Sequence, residues 1–231
     1  MRAKRFLPFL ICVLAVGAFA RADAKFLNSD DVNATIALLT PPAADGSPEQ
    51  QAEIQKLLDI QGARTPADEA RAKTHANLSG FSYSEVLGAW FNKEDLPVTA
   101  KLMADVGAEA KAVVSVAKKQ FHRDRPFVTD KRLHPSIPET GFSYPSGHAT
   151  AGAAYAAVLA AMFPEHKDEL LALGKQIGED REVAGVHYPS DVAAGQKIGA
   201  EIAKRLLATP DFHAEMEKAL EEVHADAHAG K

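Results

Sequence analysis

The chain of 231 residues has one cysteine, Cys12, and that residue sits in an apolar run close to the N-terminus. No intramolecular disulfide can therefore form, and none is available to hold an exported domain together. Strand signals are missing as well: no segment alternates apolar and polar residues, which argues against a sheet. There is no internal repeat and no linker that would divide the chain. Excess basic charge is also absent, since 26 Lys+Arg stand against 31 Asp+Glu. An acidic balance argues against nucleic acid and against anionic membrane as partners.

The N-terminus has the pattern of a secretory signal peptide. Arg2, Lys4 and Arg5 precede an apolar run over residues 6–20, and Ala22-Asp23-Ala24 offers a small-residue cleavage site. The run is shorter than the roughly 20 residues of a spanning helix, and Ile11 before Cys12 is too bulky for a lipoprotein box. Residues 1–24 are thus expected to be removed, with the exact bond left open between Ala20 and Ala24. The product would be periplasmic or secreted. Cleavage after Ala24 removes four cations and one anion, leaving 22 Lys+Arg against 30 Asp+Glu, a charge of −8. No later stretch is long and apolar enough to cross a bilayer, so no stable membrane association is expected.

Residues 25–231 read as one all-α domain, large enough to bury a sizeable core. Residues 25–46 look like an ordered arm or loop. Ser47-Pro48 and Thr65-Pro66 are helix starts, each a hydroxyl cap followed by proline at the first helical position. Residues 83–91 suggest a short helix. Residues 96–121 form the longest pattern, with Leu102, Val106, Ala110, Val113 and Ala117 on one stripe. Residues 125–144 are rich in proline and hydroxyls and lack helical period, as functional loops often do. From 146 to 163 the chain is small or apolar nearly all round, predicting a buried central helix. Further helices are expected to about residue 183, from Pro189, and from Pro210.

Chemistry concentrates between residues 118 and 191. The stretch 141–150 reads GFSYPSGHAT, in which Ser146 can cap the central helix and Gly147 allows close backbone approach. Free N–H groups and the positive dipole end make such a helix start suited to an anion, with His148 beside it. Lys118, Arg125 and Arg181 are cations that could neutralise phosphate oxygens, the arginines through planar forks. His187 has Asp191 four positions on, while His148 has no carboxylate near it in sequence. Such unlike surroundings would separate two histidines into different proton-transfer roles.

These residues, in the phrases AKKQFHRDRPF, SYPSGHAT and GVHYPSDVAAG, resemble the three-part signature of the phosphatidic acid phosphatase and vanadium haloperoxidase superfamily. Within it the chain is most similar to the bacterial class A non-specific acid phosphatases. The resemblance implies an all-α bundle and metal-free hydrolysis of small-molecule phosphate esters, with no cofactor. It further implies that His187 is the nucleophile and forms a phosphohistidine. Asp191 would fix its tautomer, and His148 would protonate the leaving group. Lys118, Arg125, Ser146, Gly147 and Arg181 would hold phosphate oxygens. Two departures stand out: Asp180 occupies a place where the family usually has serine, and Phe142 alters the approach to the second motif. The alternatives are a vanadate-dependent haloperoxidase and a non-catalytic phosphate-binding protein, and a homo-oligomer stays open. Arg123 and His134 could touch phosphate or the leaving group, but a surface role is favoured for each. The histidines 213, 224 and 228 are not read as a metal site, and Phe142, Tyr144 and Tyr188 either line the entrance or pack between helices.

Overall fold

A computed structural model describes residues 24–229, with side chains through residue 225. All but the last residue of the expected leader lie outside the described residues. Ten helices and two short 3-10 turns make up the regular structure there, without strands. The arm expected at 25–46 proves to contain a helix, α1 (Ser29–Ile36). Asn28 caps it by accepting from the Asp30 and Asp31 N–H groups, and Asp31 reaches back to the Asn28 N–H. This reciprocal cap, with Val32, Thr35 and Ile36 buried, is what holds so short a helix.

Helices α2 (Pro48–Ala63) and α3 (Pro66–His75) start where their caps indicate, with the Ser47 and Thr65 side chains accepting from Gln50 and Asp68. The helix expected at 83–91 is largely absent. A 3-10 turn (Gly80–Tyr83) leads into a single turn, α4 (Ser84–Leu87), which stops at Gly88 with φ of 95°. Trp90 and Phe91 then leave the helical path to stack edge-on against Phe163.

Helix α5 (Pro97–Phe121) buries the stripe Leu102, Val106, Ala110, Val113 and Ala117. After one turn, α6 (Pro126–Thr129), the loop runs to α7 (Gly147–Met162). A 3-10 turn (Pro164–His166) precedes α8 (Lys167–Val183), followed by α9 (Pro189–Leu207) and α10 (Pro210–Ala229). Helix α7 is the centre of the bundle and packs on α5, α8 and α9. Its crossing with α9 is close because Gly195 faces the α7 start: a Cβ there would come within 2.6 Å of the Ser146 carbonyl oxygen. That contact sets the beginnings of α7 and α9 side by side, and the Ser146 N–H donates to the Asp191 carbonyl at 3.0 Å. Two sequence motifs separated by over forty residues thereby share one end of the bundle.

Candidate active site

His187 lies in the link between α8 and α9, and Asp191 in the first turn of α9. Asp191 Oδ2 accepts the Tyr188 N–H at 2.9 Å, which fixes the carboxylate at the helix entry. The same oxygen takes a hydrogen bond from the Ser143 hydroxyl and lies 3.3 Å from His187 Nδ1. Oδ1 accepts from Arg123 NH1 at 2.6 Å. On the other side of the imidazole, Arg125 NH1 is 3.2 Å from His187 Nε2. A guanidinium can only donate, so Nε2 carries the lone pair and Nδ1 carries the proton directed at Asp191. Burial pushes His187 down to about 3, against the upward pull of Asp191. Burial alone would raise Asp191, but His187, Arg123 and Ser143 hold it below the usual carboxylate range. The pair is thus a neutral imidazole beside a carboxylate, with Nε2 unprotonated.

Around Nε2 stand the cations. Arg125 is fixed by carbonyls, donating from NH1 to Val186 at 2.8 Å and from NH2 to Thr140 at 2.9 Å. Arg181 pairs through NH2 with Glu139, whose other oxygen is 3.5 Å from Arg125 NH2. One carboxylate therefore bridges both guanidiniums. Arg181 Nε and NH1 are buried and have no hydrogen-bond partner among the described residues. Such unmet donors are what a bound oxyanion would satisfy. Lys118, whose Nζ donates to the Phe142 carbonyl at 2.6 Å, is pushed down to about 8 by burial and by Arg125. Burial likewise lowers Arg181, to about 10. Burial would raise Glu139, but Arg125 and Arg181 pull it below its ordinary value. Asp191 is already matched by Arg123, so three cations face one carboxylate, a surplus that suits a phosphate monoester dianion.

Ser146 is buried at the start of α7 and caps it, its oxygen accepting the Ala149 N–H at 3.3 Å. Its hydroxyl proton remains available as a donor. Gly147 is the first residue of α7. His148 Nε2 lies 3.0 Å from the Ala76 carbonyl oxygen, which only accepts, so Nε2 is the protonated nitrogen. Burial and Arg181 push His148 down to about 4.

Asp180 points away from the cradle: it accepts from Arg71 and from His75 Nδ1 and ties α3 to α8. The expectation of a surface position for Arg123 is corrected. That arginine is buried over the Tyr188 ring, where it joins Asp191 to Glu53. His134 is exposed, as expected. Tyr144 and Tyr188 are buried, bonded to the Thr40 carbonyl and the Thr129 hydroxyl, and Phe142 is edge-on to His122. No group of side chains that could hold a metal ion occurs among the described residues, and the His228 side chain lies outside them. Glu139, Ser143, Glu53 and the Ala76 carbonyl were not singled out by sequence. Only Ser143 lay within a quoted motif; the others are brought in by packing.

Residues 103–213 match the profile of the PAP2 superfamily. A non-specific acid phosphatase of Providencia stuartii is 28% identical over 213 residues, covering 87% of this chain and 86% of the relative. An acid phosphatase of Zymomonas mobilis is 32% identical over 202 residues, covering 82% of this chain and 76% of the relative. The crystal structure of a bacterial vanadium-dependent iodoperoxidase superposes with a TM-score of 0.55 at 16% identity, over 74% of this chain and 52% of that one, a likeness of fold. On these grounds the chain belongs to the PAP2 superfamily, beside bacterial acid phosphatases that it matches over most of their length.

Proposed function

We propose that this protein is an exported acid phosphatase that hydrolyses small phosphate monoesters without a metal ion, through a phosphohistidine at His187. The observation that carries the reading is the Nε2 lone pair of His187, held by Asp191 behind it and faced by an arginine that shares one carboxylate with a second arginine.

A phosphate ester entering the cradle would displace the Glu139 carboxylate and bond Arg125, Arg181 and Lys118 through its nonbridging oxygens. Fixed positive charge of this kind stabilises the charge that phosphoryl transfer spreads over three oxygens. His187 Nε2 attacks phosphorus as the ester P–O bond breaks. The electron pair leaves with the alkoxide oxygen, which takes a proton from His148. The imidazole becomes cationic, and Asp191 on Nδ1 supports that charge. Water then attacks phosphorus, giving up a proton to His148, while the P–Nε2 bond breaks with its electron pair returning to the His187 imidazole, and inorganic phosphate departs.

The acidic working range follows from the same surroundings. His187 must be neutral and His148 protonated; burial lowers both, to about 3 and about 4, so placing the proton on His148 calls for acid. The free enzyme is therefore competent on the acid side, and a bound phosphate dianion moves His148 upward by its charge. Phosphate release from a chromogenic aryl phosphate in the presence of EDTA, rising as pH falls below neutrality, is the expected result. A metal-free preparation without turnover would remove the reading. Halide oxidation on adding vanadate, or tight phosphate binding without hydrolysis, would replace it with one of the two alternatives.

A further inference from the structure

The carbonyl that binds His148 Nε2 at 3.0 Å belongs to Ala76, the C-cap of α3. A carbonyl at a helix end has no partner further along the helix, and it lies at the negative end of the helix dipole. It therefore keeps a proton on Nε2 and favours the charged imidazolium, as Asp191 does for His187. Burial and Arg181 lower His148, and the Ala76 bond is the largest pull in the other direction. With Nε2 engaged, Nδ1 is the nitrogen left to hand a proton to an ester oxygen.

Helix α3 has ten residues, too few to hold its place unaided. Its seat is Asp180 of α8, which is fully buried. That carboxylate accepts from His75 Nδ1 at 2.6 Å, from Arg71 NH2 at 2.9 Å and from Gln176 at 3.0 Å. Arg71 NH1 also bonds Asp68 in the first turn of α3 at 3.0 Å, so the grip runs from that turn to the last. His75 immediately precedes Ala76, and Asp180 immediately precedes Arg181. One residue of α8 thus faces the phosphate cradle, and its neighbour holds the helix end that backs His148. We propose that Asp180 is a positioning residue: through His75 and Arg71 it keeps the Ala76 carbonyl on His148 Nε2, so that protonation of the leaving group depends on it. In that step the ester P–O bond breaks and the oxygen takes the Nδ1 proton. The N–H electron pair stays on Nδ1, and the neutral imidazole keeps its Nε2 proton on Ala76. A displaced carbonyl would free the ring to turn and remove the acceptor that supports its charge. The role rests on the reading of His148 as the proton donor.

Leaving groups separate positioning from packing. A nitrophenolate departs without a proton and an alkoxide needs one, so kcat/KM, which covers the steps up to the phosphohistidine, is measured for nitrophenyl phosphate and for an alkyl phosphate. Asp180→Asn is expected to lower it by about 10- to 100-fold for the alkyl ester and by less than about three-fold for the nitrophenyl ester. On a His148→Ala background the same substitution is expected to change neither value, because its effect runs through that imidazole. Should Asp180→Asn not fold, Arg71→Gln, at a partly exposed position, is expected to give the same pattern in smaller size. Equal losses for the two esters, no loss for either, or a loss that persists without His148 overturns the positioning role. A His148→Ala variant that fails to discriminate between the esters removes the donor reading and this role with it. A discriminating His148→Ala beside a non-discriminating Asp180→Asn overturns the role of Asp180 alone.

Discussion

Two aspartates in this bundle have the same partners by residue type and opposite consequences. Asp180 and Asp191 are both fully buried, and each binds one histidine through Nδ1 and one arginine. In the first cluster His75 Nδ1 is 2.6 Å from Asp180, and its Nε2 faces Glu85 at 3.4 Å. The hydrogen bond to Asp180, against burial and aided by Glu85, raises His75. In the second, His187 Nδ1 is 3.3 Å from Asp191, and its Nε2 faces the Arg125 guanidinium. Burial, with that cation opposing protonation, holds His187 neutral. A carboxylate on both nitrogens makes a structural cation that ties α3 to α8. A carboxylate on one nitrogen and a guanidinium on the other leaves a lone pair for phosphorus.

The comparison breaks most visibly on the nucleophile. His187→Ala is expected to lower kcat by about 10^4-fold or more, since no other group replaces the attacking nitrogen. His75→Ala should instead lower stability, by about 1–3 kcal/mol, through loss of the buried charge-assisted bond to Asp180, which Arg71 still partly satisfies. Equal losses of kcat in the two variants would end the distinction. Asp191→Asn keeps the shape but presents an amide, which is expected to disturb the tautomer and cost about 10^2- to 10^4-fold in kcat. The folded content, checked by circular dichroism, should hardly change.

Arg123 sharpens the same contrast from the second layer. It is clamped between Asp191 and Glu53, and Glu53 also accepts the Ser190 N–H at 2.7 Å. Arg123→Met should lower kcat by about 10- to 100-fold with KM little changed, and should shift the acid limb of the pH profile by freeing Asp191 from its cation. Glu53→Gln is expected to do the same more weakly. An effect on KM alone would place Arg123 with the substrate instead.

Most of the bundle was legible because its signals are local. Ser47-Pro48, Thr65-Pro66 and the 97–121 stripe each fix a helix from residues a few positions apart. Helix α1 was not, since eight residues carry a weak period and their order comes from the Asn28 cap and burial. The 83–91 helix failed because Trp90 and Phe91 gain more from stacking on Phe163 than from continuing past Gly88. At the site, the motif residues carry their chemistry in their own side chains. Arg123 could not be distinguished from neighbouring Arg125 by type, and its burial depends on Glu53 some seventy residues away. Glu139 is harder still, an ordinary acid in a loop until Arg125 and Arg181 are brought to it.

Glu139 yields the next effect in size. Its carboxylate holds the two arginines that substrate needs, so entry of a phosphate requires an exchange of anions. Glu139→Gln weakens the resident and should lower KM for aryl phosphates by about ten-fold, with kcat nearly constant. A rise in KM would mean that the carboxylate positions the arginines for substrate and does not compete with it.

The smallest effect concerns stability against pH and returns to the two histidines. His75 is raised in the fold, so its contribution is complete below the unfolded value of about 6.5 and disappears as pH climbs through the folded value. His187 is lowered, so its neutral state favours folding above about 6.5 and loses ground as pH falls toward about 3. His75→Asn should accordingly flatten the decline on the alkaline side, while leaving the acid side intact. His187→Asn should flatten the acid side alone. Urea midpoints between pH 4 and 9 read both slopes, and identical curves for the two variants would show that the clusters titrate alike despite their unlike neighbours.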